Sequence, residues 1–245
     1  DGVEVNLLVS QQTSCLHDYT LTVKDMKAIE RADVILINGG GLEDFLADAL
    51  DTSDAPVIDC SAGIELLPAL GHEGHDHDTE CDPHFWMTYE NAACMLANIA
   101  QGLGELDPEH GGVYNQNSDN AADALRYDPD KLSTLAGKPL ITFHDGFQYF
   151  ARAAGLNLLK AIEEEEGAEA SAAEIKEIVE LIEEYQIPAI FTEVNGSDAT
   201  ARAIARETGV EVYQLDMIMS GEGTGIQPYL EAMEKNFQTI AEALG

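Results

Sequence analysis

Short runs of apolar, often β-branched residues recur along the chain with amphipathic stretches between them, so the hydrophobic period alternates between strand-like and helix-like. Residues 3–9 and 33–38 flank an amphipathic stretch over 22–30, which predicts strand, helix, strand. A helix over 43–50 follows Gly39-Gly40-Gly41, and a third strand over 56–59 follows that helix. After a polar loop at 71–81 comes a helix over 91–103. A Gly/Asn-rich patch at 110–120 then precedes a further helical stretch near Ala121.

The second half repeats this grammar. Strands are predicted over 140–143, 156–161, 189–192 and 211–215, and helices over 148–154, 171–185, 199–207 and 229–244. Ser171 followed by Glu174 is a capping-box signature, and Ser197 is a candidate N-cap for the helix at 199. Alternating strands and helices imply parallel sheets covered by helices. The predicted fold is therefore α/β, with an N-terminal lobe over 1–104, a linker over 105–138 and a C-terminal lobe over 139–245.

A chain of 245 residues that is 45% hydrophobic can bury such cores. Its charge is lopsided, with 12 Lys+Arg against 46 Asp+Glu and a formal net charge of −34. That balance argues against nucleic acid or an anionic membrane surface as partner and favours a cationic ligand. No run approaches the roughly 20 apolar residues that span a bilayer. A signal or lipid anchor, if one existed, would have been removed ahead of Asp1.

In open parallel sheets, ligands gather where loops leave the carboxyl ends of strands. Three histidines lie in such turns, in Cys15-Leu16-His17-Asp18-Tyr19, Asp82-Pro83-His84-Phe85-Trp86 and Phe143-His144-Asp145-Gly146-Phe147. Asp216 closes the strand over 211–215. Their wide separation excludes a local finger-type site, and neutral imidazoles with a carboxylate suit a borderline divalent cation, so His17, His84, His144 and Asp216 are a candidate tetrahedral zinc set. Asp18, Asp82 and Asp145 are candidate acceptors for the ring N–H groups of those histidines.

Further groups could contribute. The tract Gly71-His72-Glu73-Gly74-His75-Asp76-His77-Asp78 reads as a metal-attracting loop through His72, His75 and His77. Glu193, at a strand end, and Cys15, near His17, are accessory candidates. The four cysteines lack CxxC spacing; Cys60 and Cys81 bracket the His-rich loop and could close it as a disulfide, while Cys15 could pair with Cys60 or touch the metal. Gly39-Gly40-Gly41 lacks the companions of a phosphate loop and is expected to be a tight turn.

These strings resemble the substrate-binding proteins of zinc and manganese ABC transporters. The resemblance rests on His17-Asp18-Tyr19, on Ala32-Asp33-Val34-Ile35-Leu36-Ile37-Asn38-Gly39 with Gly41-Leu42-Glu43, on Asp82-Pro83-His84-Phe85-Trp86, on Thr142-Phe143-His144-Asp145-Gly146-Phe147-Gln148-Tyr149-Phe150, on Glu207-Thr208-Gly209 and on Leu215-Asp216. It implies two α/β lobes joined by a helix, and a metal in the cleft held by His17, His84, His144 and Asp216. It also implies no catalysis, an extracytoplasmic setting with a lipid anchor, and delivery to a membrane permease. Manganese members tend to carry a carboxylate where this chain has His144, so Zn2+ is the expected cargo and Mn2+ the lesser one.

Two departures from the family pattern stand out. The chain opens at what corresponds to the family's second strand, so its first lobe is expected to lack a strand and helix, and the unpaired edge could promote self-association. The linking segment is short and interrupted by Gly111-Gly112, Asp128-Pro129 and Gly137. Two other functions fit the same residues: a zinc hydrolase with three His ligands, an open water position and Asp216 or Glu193 as base, or a zinc buffer built on the His72–His77 tract.

Overall fold

A computed structural model describes residues 3–8, 19–70, 81–162, 171–194, 196–220 and 223–245. His17, Cys15, Asp18, His72, His75 and His77 lie outside the described residues. Among the described residues, no helix is long and apolar enough to cross a membrane.

The first described helix, α1 (Val23–Arg31), starts where the Thr22 hydroxyl caps the Asp25 N–H and the Asp25 carboxylate accepts the Thr22 N–H in return. It leads into β1 (Ile35–Ile37). A 3-10 turn at Asp44–Leu46 and the short α2 (Ala47–Asp51) then connect to β2 (Val57–Asp59), which pairs with β1 in parallel, Ile35 opposite Val57. Between β1 and the 3-10 turn, Gly39, Gly40 and Gly41 all take positive φ. The Asn38 and Gly39 N–H groups both donate to the Glu43 carboxylate. The chain thus supplies its own anion to this glycine turn, in agreement with the tight-turn reading.

Residues 3–8 do not form the expected strand. They take no regular structure, and Val3, Val5 and Leu7 are largely exposed; only Leu8 reaches the small core of Ile29, Leu46 and Ala49. A period-two apolar pattern becomes a strand only with a neighbour to accept its backbone hydrogen bonds.

Next comes α3 (Tyr89–Leu106), capped by the Thr88 hydroxyl on the Asn91 N–H. Gly102 lets α3 lie against β2, since a Cβ there would stand 2.6 Å from Ile58 Cδ1. The Gly/Asn-rich patch is itself helical, as α4 (Gly111–Ala122). Its sequence has low helix propensity, but it packs along α3 where Gly104 and Gly111 bring the two backbones together. Asp128 and Pro129 start a helix rather than interrupting one: Pro129 occupies the first turn of α5 (Pro129–Leu135), with Asp128 as its cap.

The second sheet has order β4-β3-β5-β6, all parallel. Its strands are β3 (Pro139–Thr142), β4 (Asn157–Ala161), β5 (Ala189–Glu193) and β6 (Glu211–Leu215). Alternate residues serve opposite faces. Leu140, Ala189 and Phe191 join a core with α5, α6 (Gln148–Ala154) and α9 (Gln227–Leu244). Ile141 and Ile190 join the other core, with α7 (Ala172–Tyr185) and α8 (Ala199–Thr208). Each fully buried large side chain contributes about 1.5–3 kcal/mol through burial. The predicted capping box at Ser171 and Glu174 forms. At α8 the N-cap is Asp198 instead of Ser197, whose hydroxyl still accepts the Ala199 N–H. The fold is thus α/β, two parallel sheets flanked by helices.

Candidate metal centre

Asp82 and His84 reach the site from the turn ahead of α3. Asp82 is fully buried, and its Oδ1 accepts both the His84 N–H at 2.9 Å and the His84 Nδ1 proton at 2.8 Å. The proton therefore sits on Nδ1, and Nε2 presents a lone pair. Asp82 is held in turn: Gln148 donates to its Oδ2 at 3.1 Å, and the Tyr149 hydroxyl donates to its carbonyl at 2.9 Å. Burial pushes the Tyr149 phenol up to about 12, so it stays a neutral donor.

His144 arrives from the end of β3. Thr142 Oγ1 donates to the His144 carbonyl at 2.7 Å, and the Gly146 N–H donates to His144 Nδ1 at 3.0 Å. The His84 and His144 rings meet edge to face with centroids 5.0 Å apart. Ligand atoms of His84, His144 and Asp145 all lie within 4.8 Å of one another. This convergence depends on Gly146, where a Cβ would stand 1.9 Å from Met217 Cε and 2.9 Å from His84 Cγ.

Around this group lie Glu193 and Trp86. Glu193 ends β5; burial raises its carboxyl above the ordinary range, His144 opposes that shift and Asp145 adds to it. Trp86 packs against the His84 ring with centroids 5.3 Å apart, donates to the Met217 carbonyl at 2.9 Å, and has its own carbonyl bound by Tyr229.

Asp216 directly follows β6, but its carboxylate is not in the converging group. Oδ1 accepts the Ile218 N–H at 2.8 Å, while Asn236 bridges the Asp216 N–H and carbonyl. Ile218 takes φ 56, a left-handed conformation costly for a β-branched residue. Asn236 was not anticipated from sequence. Its signal was a polar residue in helical phase with Met233, Phe237 and Ile240, and it is 1% exposed.

Cys60 is a buried free thiol rather than the partner of Cys81. Burial, with Asp59 and Glu43 nearby, pushes it up to about 11. The Asn98 carboxamide donates to the Cys60 and Ala62 carbonyls and fixes this turn independently of any sulfur bridge.

Residues 1–243 match the model of the zinc-uptake complex component A, periplasmic, family. The chain is 30% identical over 243 residues to the iron-binding protein YfeA of Yersinia pestis, covering 94% of this chain and 76% of that one. It is 26% identical over 239 residues to the manganese-binding lipoprotein MntA of Halalkalibacterium halodurans, covering 93% and 77%. Among solved structures it is similar to the substrate-binding protein FpvC of Pseudomonas aeruginosa in complex with Mn2+, with a TM-score of 0.79, 28% identity, and 94% of this chain and 86% of that one covered. The chain belongs to the zinc-uptake complex component A family, the metal-binding substrate-binding proteins of ABC transporters.

Proposed function

We propose that this chain is an extracytoplasmic receptor that captures Zn2+ in the cleft between its lobes, with His17, His84, His144 and Asp216 as ligands, and hands it to an ABC permease. The lobes are assigned to residues 1–104 and 139–245, with 105–138 as linker, and the setting to the periplasm or a lipid-anchored position outside the membrane. The meeting of the His84 and His144 rings over Asp82 carries this reading. Two neutral imidazoles favour Zn2+ over Mn2+, because Mn2+ gains less from nitrogen donors. The metal is cargo in this reading, so the protein has no need of the open water position that zinc hydrolysis requires.

A competition titration of metal-stripped protein with Zn2+ and Mn2+ against chelators tests this. One tight site preferring Zn2+, lost in His144→Ala, is the expected result. Tighter Mn2+ binding would overturn the zinc assignment. Weak binding indifferent to His144 would overturn the receptor site itself.

A further inference from the structure

We propose that α1 carries a docking surface for an acidic segment of a partner protein, whose carboxylates meet Lys24, Lys27 and Arg31 while an apolar side chain covers Val23 and Met26. The whole chain has 12 Lys+Arg against 46 Asp+Glu, yet three of those cations stand on the nine residues of α1. Positions 24, 27 and 31 are spaced three and four apart, so they share one face of the helix and span about 10 Å along its axis. All three are exposed, and on the same helix Val23 is 73% and Met26 41% exposed.

Among the described residues, Arg126, Lys131, Arg152, Lys160, Lys176 and Arg202 each pair with a carboxylate, and Lys24, Lys27 and Arg31 do not. The Asp25 carboxylate of the same helix is buried and accepts the Tyr19 and Thr22 hydroxyls and the Thr22 N–H. Helix stability does not account for the stripe either. The macrodipole favours a cation in the last turn, where Arg31 stands, but opposes one in the first, where Lys24 stands. The helix is held by its inner face instead, where Ile29 packs with Leu46 and Ala49. Shape separates a protein segment from an anionic membrane as the occupant. Glu30 on α1, and Asp48 and Asp51 on the adjoining α2, are exposed. A flat anionic surface would meet these carboxylates along with the stripe, and the net charge of −34 would oppose its approach. A narrow acidic segment can sit on the stripe alone, with Val23 and Met26 as the apolar part that protein interfaces set beside a charged rim.

None of the proposed metal ligands lies on α1, so docking is expected with and without Zn2+. The probe is a fluorescein-labelled peptide of glutamates interspersed with leucines, titrated with the full chain and followed by fluorescence anisotropy. Binding should weaken steeply between about 50 and 300 mM salt. It should be weaker by about tenfold or more in Lys24→Gln/Lys27→Gln/Arg31→Gln, and retained in Lys24→Arg/Lys27→Arg. Failure of the native chain to bind, equal binding by the triple variant, or equal binding of a peptide with glutamine for glutamate overturns the proposal. Should the triple variant not fold, Lys24→Gln/Lys27→Gln decides in its place, with a loss of about threefold or more expected and none overturning it. Vesicles of equal parts phosphatidylglycerol and phosphatidylcholine test the membrane: sedimentation of the native chain with them, lost in the charge variants and without peptide binding, overturns the proposal in favour of lipid. Peptide binding kept in His144→Ala, whatever the zinc result there, supports a surface separate from the metal centre, and its loss in that variant overturns one.

Discussion

His84 and Gly146 approach so closely that a Cβ on the glycine would stand 2.9 Å from the imidazole Cγ and 3.0 Å from Cδ2. The bare backbone at 146 is thus what lets the turn after β3 lie against the ring from the turn before α3. Met217 Cε, nearer still, is the end of a flexible side chain and can move. The His84 ring cannot, because Asp82 holds its Nδ1 from behind. Gly146→Ala is expected to weaken zinc binding at least tenfold, with a smaller effect on the metal-free fold of about 1–3 kcal/mol from overpacking. Chelator competition and thermal melts of the stripped protein measure the two separately.

Asp82→Asn probes the support behind the same ring. The amide retains an acceptor oxygen but loses the charge that raises the basicity of His84, and replacing such partners typically costs 10–100-fold in metal affinity. Asp82→Ala should do more, since it leaves the buried backbone N–H and Nδ1 donors of His84 unpaired at about 1–3 kcal/mol each. Zinc affinity and melting temperature together separate these effects. Unchanged affinity in Asp82→Asn would remove Asp82 from the site.

Much of this was legible in the sequence, and the misses share a cause. The spans of α6 and β6 were read to the residue, because their apolar positions are fixed by burial in one core. Residues 3–8 and α4 were misread because a pattern reports what a segment can do, while neighbours decide what it does: the first lacks a pairing strand, and the second gains α3 as a packing surface. Asp82 Oδ1 lies 2.8 Å from the Nδ1 of His84, two residues along the chain. Asp145, expected to play the same part for His144, has its Oδ1 3.2 Å from the His144 Nδ1, and the Gly146 N–H meets the same nitrogen, a contact that sequence adjacency does not reveal.

Glu43 makes a pH prediction away from the metal. Burial raises its carboxyl above the ordinary range, against the lowering effect of the Gly39 and Asn38 N–H bonds. A carboxyl whose folded value lies above its unfolded one contributes most stability at low pH, and that contribution is lost as pH rises through the folded value. Glu43→Gln removes this titration. The stability of the native chain relative to Glu43→Gln should therefore increase on going from neutral pH to about 5, measured on metal-free protein in urea. A difference independent of pH would refute the burial account.

Metal removal gives the last prediction. Zinc that binds only the folded state stabilises it by about 2.7 kcal/mol at a free concentration a hundred times Kd, and for a chain of 245 residues that corresponds to a rise in melting temperature of about 5–10 °C. Because imidazole must be neutral to coordinate, the rise should shrink as the solution is acidified. His144→Ala should show almost none of it at the same free zinc. The control that decides between sites is deletion of residues 71–78: the full rise in that deletion places the energy in the histidine pair, and its loss there, with the rise intact in His144→Ala, would move tight binding to the His-rich tract and leave the convergence of His84 and His144 without a thermodynamic consequence.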